Sequence, residues 1–282
     1  MSKPSTHLIV QGRDIYPDAL AELARLSGAS GIERLADSAC RLLDATAHPD
    51  VTAACRLAHL DFAFVPAGRR LSDMGLFVTD MDSTLITIEC IDEVADMYGL
   101  KAEVHAVTEA AMRGELDFRE SLLRRVALLE GLEESALERV YEERLQLSPG
   151  AEPLLAKLNG AGVTTVLVSG GFTFFTERLK THLGFDHAWA NTLEVRHRRL
   201  TGKVIGELED AEAKRDHLLA LKADLGLNRN QIIAAGDGAN DLLMLAEALY
   251  SVAYQAKPVV REKAAYALDH SGMDGILNFF ED

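Results

Sequence analysis

Four runs in the later part of the sequence, GLFVTD (75–80), TTVLVSGG (164–171), IIAAGDG (232–238) and SVAY (251–254), are apolar at consecutive rather than alternate positions. A strand of that kind must be buried on both faces. Strands so buried and separated by helical segments assemble into a parallel sheet with helices on each side. The expected architecture is therefore α/β with a Rossmann-like core.

The first seventy or so residues follow a different pattern. HLIVQ (7–11) and DFAFV (61–65) read as strands, IERL and CRLLDA supply two more, and Ala19–Leu26 and Val51–Leu57 carry helical apolar spacing. That order, βαββαβ, predicts a ferredoxin-like α+β domain over residues 1–70. Pro66-Ala-Gly-Arg-Arg marks the connection to a second unit, residues 71–282. Within the second unit, about 90–148 has no strand signal. Gly99, Gly114 and Gly131 stand where helices would end, Asp117 with Glu120 forms a capping pattern, and FRESLLRRVALLEG repeats at helical spacing. A helical cap inserted after the first core strand is expected, placed to act as a lid. The segment 189–208 reads as a hairpin rather than a helix.

Composition removes several classes of function. The net charge of −15 argues against nucleic acid or an anionic membrane as a partner. Cys40, Cys55 and Cys90 have no CxxC spacing, so neither a disulfide framework nor a zinc site is indicated. No stretch approaches the roughly 18 apolar residues of a membrane span, and the first residues lack a basic segment followed by an apolar run. A small-molecule substrate and a cytoplasmic location are the expectations.

The chemistry concentrates at the strand ends. Asp80-Met81-Asp82-Ser83-Thr84 follows the first core strand, where ligands of parallel sheets sit. Two carboxylates this close disfavour each other unless a cation or a shared proton compensates. Ser169-Gly170-Gly171 reads as a small-residue turn at a helix start, suited to phosphate oxygens. Asp237-Gly238-Ala239-Asn240-Asp241 adds hard oxygen ligands. Lys214, taken alone, is most simply a surface lysine. Glu89 alone reads as a helix-start acid and Arg125 as a solvated helix residue.

Asp80 with Asp82, Ser169, Lys214, and Asp237 with Asp241 resemble, in order and type, the four motifs of the haloacid dehalogenase (HAD) superfamily. More closely, DMDSTLITIECIDEVA, SGGF and GDGAND resemble the phosphoserine phosphatase family within it. The resemblance implies a Mg2+-dependent hydrolase acting on O-phosphoserine, at the last step of serine biosynthesis. In it Asp80 is the nucleophile and Asp82 the general acid–base. Asp80, Asp237 and the backbone carbonyl of Asp82 would ligate the metal, with Asp241 behind them. Ser169, the Gly170 amide and Lys214 would hold the phosphoryl group, Glu89 the substrate amine and Arg125 its carboxylate. Met112 and Phe118 would pack around the ligand, and Asn240 and Thr84 have weaker claims. Rival readings are a phosphotransferase to an alcohol acceptor, a phosphatase of another small monoester, and an amino-acid sensor. The last arises because the first domain loosely resembles ACT regulatory modules through its strand order. A homodimer is left open.

Overall fold

A computed structural model describes residues 5–281. The chain opens with β1 (Thr6–Gln11), α1 (Pro17–Ser27), β2 (Gly31–Ala36), β3 (Ala39–Leu43), α2 (Pro49–Leu57) and β4 (Asp61–Pro66). Both helices begin with proline, whose missing N–H costs nothing in a first turn. The four strands form an antiparallel sheet in the order β2-β3-β1-β4, the ferredoxin-like arrangement. Leu8, Val10 and Leu42 point to one face, where Leu23, Val51 and Cys55 of the two helices cover them.

The second sheet contains β5 (Leu76–Thr79), β6 (Thr164–Phe172), β7 (His187–Arg196), β8 (Arg199–Ile205), β9 (Ile232–Gly236), β10 (Tyr250–Tyr254) and β11 (Tyr266–Leu268). Its order is β11-β10-β9-β5-β6-β7-β8, and every pairing is parallel except that of β7 with β8. The expected hairpin is present, and the sheet extends through it because the first half of β7 pairs with β6. The short β11 has no counterpart in the sequence reading. β5, the central strand, is buried at all four positions.

Four helices, α3 (Cys90–Asp96), α4 (Lys101–Met112), α5 (Phe118–Ala127) and α6 (Ser135–Glu143), lie between β5 and β6. Asp117 accepts the Glu120 N–H at 2.7 Å and starts α5 as its sequence suggests. This helical cap leans on the hairpin: the Gly131 N–H donates to the Leu200 carbonyl at 2.8 Å and the Leu200 N–H to that of Leu132 at 2.9 Å. The remaining helices, α7 (Ala151–Gly160), α8 (Thr173–Leu183), α9 (Ala211–Asp224), α10 (Leu242–Ala246) and α11 (Pro258–Arg261), belong to the core.

The second face of the N-terminal sheet is also covered. Ile9, Ala63 and Val65 join the large apolar cluster that contains Phe77, Tyr250, Tyr266 and Phe279. Beside it the buried Asp61 carboxylate accepts the N–H groups of Asp269, His270 and Ser271 at 2.8, 3.0 and 2.9 Å. An anion holding three backbone donors is a strong local clamp.

Candidate active site

Thr79, Leu167 and Ala235 sit level in the register of β5, β6 and β9. The chain therefore leaves three adjacent strands at one edge of the sheet and delivers Asp80, Ser169 and Asp237 there. After Asp80 the backbone turns sharply. Ser83 adopts the left-handed conformation (φ 58°), which a side chain rarely takes, and Asp82 is carried back toward α3. The Asp82 Oδ1 accepts the Cys90 N–H at 3.1 Å, at the first residue of that helix. Burial, followed by the charge of Glu89, pushes the Asp82 carboxyl up to about 7.

Lys214 is wholly buried, so the surface reading of its sequence position fails. Its ammonium lies 2.7 Å from Asp80 Oδ1 and 2.8 Å from Asp241 Oδ1. Burial opposes its charge, but the two carboxylates outweigh that and raise its pKa. Asp241 is engaged through both oxygens, since Oδ2 accepts the N–H groups of Asp237 at 3.2 Å and Gly238 at 3.0 Å. Gly236 permits this closeness: a Cβ there would fall 2.5 Å from the Asp241 carboxyl.

Carboxylate oxygens of Asp80, Asp237 and Asp241 come within 4.8 Å of one another. Burial, then Asp241, raises Asp80 well above the usual carboxylate range, with Lys214 opposing; burial and Asp241 also push Asp237 up to about 6. Crowded anions of this kind are relieved by a cation, and an all-oxygen set suits a hard divalent ion. Because Asp241 is already engaged by a lysine and two amides, Asp80 and Asp237 are the better placed for a metal.

Asp80, Asp82, Ser169, Gly170, Asp237 and Asn240 line the lower wall of one cavity of about 890 Å3, and Glu89, Phe118 and Arg125 approach it from the helical cap. Lys214 stands behind Asp80 rather than on the cavity wall. Thr84 is buried and its hydroxyl lies 3.4 Å from Asp237 Oδ1. The Met112 side chain lies outside the described residues. Glu89 is exposed at the N-cap position of α3 and accepts the Ser83 hydroxyl at 2.9 Å. Arg125 is half-buried, and among the described residues its Nε has no hydrogen-bond partner. The cap reaches the floor at Phe118, whose Cζ would lie 2.9 Å from a Cβ added to Gly170.

The Ser169-Gly170-Gly171 segment differs from its expected form. It is the irregular end of β6, and α8 begins only at Thr173. Pairing with β7 is interrupted between Val168 and Phe172, and Ser169 Oγ accepts the Gly171 N–H at 2.9 Å. A Cβ on Gly171 would meet Asp82 Oδ2 at 2.6 Å, so this glycine is needed for the two strand ends to approach.

Among the lining residues that escaped the sequence reading are Asp92 and Lys257. Asp92 lies three positions after Glu89, less than one helical turn away, and that spacing was its signal. Lys257 follows β10, its N–H donating to the Asp237 carbonyl at 3.0 Å and its ammonium 3.8 Å from Asp237 Oδ2. Its signal was its place beyond the fourth core strand.

A seven-stranded, largely parallel sheet with paired aspartates at its edge and a helical cap above defines the class. The chain belongs to the haloacid dehalogenase-like hydrolases, whose family model matches residues 77–246. A family described only as a domain of unknown function matches residues 8–56. Among curated relatives, the phosphoserine phosphatase of Polaromonas sp. is 52% identical over 213 residues, covering 74% of this chain and 90% of that protein. That of Albidiferax ferrireducens is 49% identical over 217 residues, covering 75% and 92%. A solved structure of a probable phosphoserine phosphatase from Vibrio cholerae superposes with a TM-score of 0.85 at 37% identity, covering 98% of this chain and 86% of that one. A HAD family hydrolase from Salmonella enterica serovar Typhi gives 0.87 at 33% identity, with 99% of each chain covered.

Proposed function

We propose that this protein hydrolyses O-phosphoserine to serine and phosphate through an aspartyl-phosphate on Asp80. The observation that carries the reading is one cavity with the Asp80–Asp82 pair on its floor and groups of opposite charge, Glu89 and Arg125 among them, on its cap side. Phosphoserine presents an ammonium, a carboxylate and a phosphate, which Glu89, Arg125 and the floor with its Ser169 and Gly170 donors answer in turn. The relatives named phosphoserine phosphatase support the same substrate.

Lys214 holds Asp80 by one oxygen, which fixes the carboxylate for attack on phosphorus. The new bond forms between Asp80 and phosphorus as the bond to the serine oxygen breaks. Asp82, with a carboxyl near 7, gives its proton to the departing oxygen. It then removes a proton from the water that attacks the same phosphorus and releases Asp80. Ser169 and the Gly170 amide hold phosphoryl oxygens, and Phe118 excludes water above them. Asp80, Asp237 and the backbone carbonyl of Asp82 would hold Mg2+, which when bound offsets the charge of the phosphate dianion and the carboxylates.

We assign residues 1–70 to an ACT-like domain and 71–282 to the catalytic unit with its cap near 90–148, and place the reaction in cytoplasmic serine biosynthesis. Phosphate release from a panel of monoesters with Mg2+ tests the reading. Phosphoserine is expected to be preferred, and Asp80→Asn to be folded and inactive. No release from phosphoserine alongside turnover of aryl phosphates would overturn the substrate; transfer of phosphate to an added alcohol would favour the phosphotransferase.

A further inference from the structure

We infer that Asn191 is a positioning residue that locks the phosphate-binding backbone of β6 and the lysine-bearing start of α9 into one frame; the inference rests on the phosphatase reading above. In the interrupted pairing, Val168 faces Trp189 and Phe172 faces Asn191. Three residues of β6 thus stand opposite one of β7, and backbone groups in such a bulge lose their ladder partners. The Gly170 carbonyl finds a substitute in the Asn191 side chain, whose Nδ2 donates to it at 2.8 Å. At the other end of the same peptide unit, the Gly171 N–H donates to Ser169 Oγ at 2.9 Å. The Gly170–Gly171 peptide is therefore held at both ends, which sets the orientation of the adjoining Gly170 amide and of the Ser169 hydroxyl.

The other half of the carboxamide reaches a second element. Asn191 Oδ1 accepts the Glu209 N–H at 3.0 Å. The next residue, Asp210, caps α9 by accepting the Ala213 N–H at 3.0 Å, and its carbonyl accepts the Lys214 N–H at 3.0 Å. A carbonyl can only accept and an N–H can only donate, so the two partners fix which way the amide points. Asn191 is 1% exposed, so its carboxamide is shielded from bulk solvent. A carboxylate at this position would keep the Glu209 bond but oppose the Gly170 carbonyl with a second acceptor, and an aliphatic side chain would abandon both groups.

The test is Asn191→Asp, with Asn191→Ser as a second variant and Thr192→Ala, an exposed neighbour, as the control. Binding of inorganic phosphate in magnesium chloride is measured by calorimetry on the folded protein, together with turnover of p-nitrophenyl phosphate and phosphoserine. Misdirecting one anion-binding donor is expected to weaken phosphate binding by about 10-fold and to lower kcat/KM by about 100-fold for both esters alike. Thr192→Ala should match the wild type. A folded Asn191 variant that binds phosphate as the wild type does would overturn the inference, as would failure of both variants to fold, which would make Asn191 a folding residue. Because phosphate binding and aryl phosphate turnover carry the result, a wild type that ignores phosphoserine but binds phosphate would defeat only the substrate reading.

Discussion

Replacing Lys214 by methionine removes the cation that stands between Asp80 and Asp241 and leaves its volume nearly unchanged. Lys214 and Asp241 are completely buried and Asp80 almost so, with bonds of 2.7 and 2.8 Å. Breaking a buried ion pair by deleting one partner costs about 3–5 kcal/mol, because the remaining charge is left without compensation. Here two carboxylates are left, so the upper half of that range is expected for protein freed of metal by a chelator. With an unfolding slope of about 3 kcal/mol per molar urea, the midpoint should fall by about 1 to 2 M. Adding Asp241→Asn to Lys214→Met removes one of the stranded charges while keeping an acceptor for the Asp237 and Gly238 amides. The double variant should recover part of the lost stability and none of the activity, a non-additivity expected only for residues in contact. The assay is urea unfolding followed by circular dichroism, paired with phosphate release. A Lys214→Met protein with the wild-type midpoint and wild-type turnover would refute the argument that this lysine is both the electrostatic centre of the site and the holder of Asp80.

Arg125→Ala should lower kcat/KM for phosphoserine by roughly 30-fold or more, the cost of leaving a shielded charge unpaired, and should matter much less for phosphoethanolamine, which lacks the carboxylate. Glu89→Gln should penalise amine-bearing esters, and equal losses toward phosphoserine and an aryl phosphate in both variants would make these residues supports of the cap. Asp61→Ala strands three backbone N–H groups at the contact between β4 and the segment after β11, so thermal unfolding should shift downward, by several kcal/mol at about 1–3 per orphaned group less what water recovers; an unchanged midpoint would show that the clamp is redundant. Burial raises all three thiols, with Cys55 pushed up to about 12 by burial and then by Asp61. The native protein should therefore resist Ellman's reagent at pH 8 and react at three sites once unfolded.

How far the sequence could be read depended on the range of the interaction that fixes each residue. The strand-end aspartates were legible because an apolar run places its own last residues at the sheet edge, and the helix starts because a cap is a bond within four residues, as at Asp117. Lys214 was not legible from its surroundings. Its burial is compensated by Asp80, 134 positions away, and only the joint pattern of motifs singled it out. Asn191 left no local mark at all, since its two partners lie 21 positions before it and 18 after it. The N-terminal sheet is the more instructive case, for its signal was present. In DFAFV, Phe62 and Phe64 pack toward the helices α1 and α2, while Ala63 and Val65 enter the cluster shared with the second sheet. A strand apolar on both faces is covered on both faces, the same inference that placed GLFVTD (75–80) in a buried parallel sheet. Applied to β4, it implies a partner beyond the sandwich's own helices, and the structure supplies Tyr266 and Phe279. A chain started near Leu71 would leave those rings less covered, so the turn at Pro66-Ala-Gly divides the backbone without dividing the apolar core.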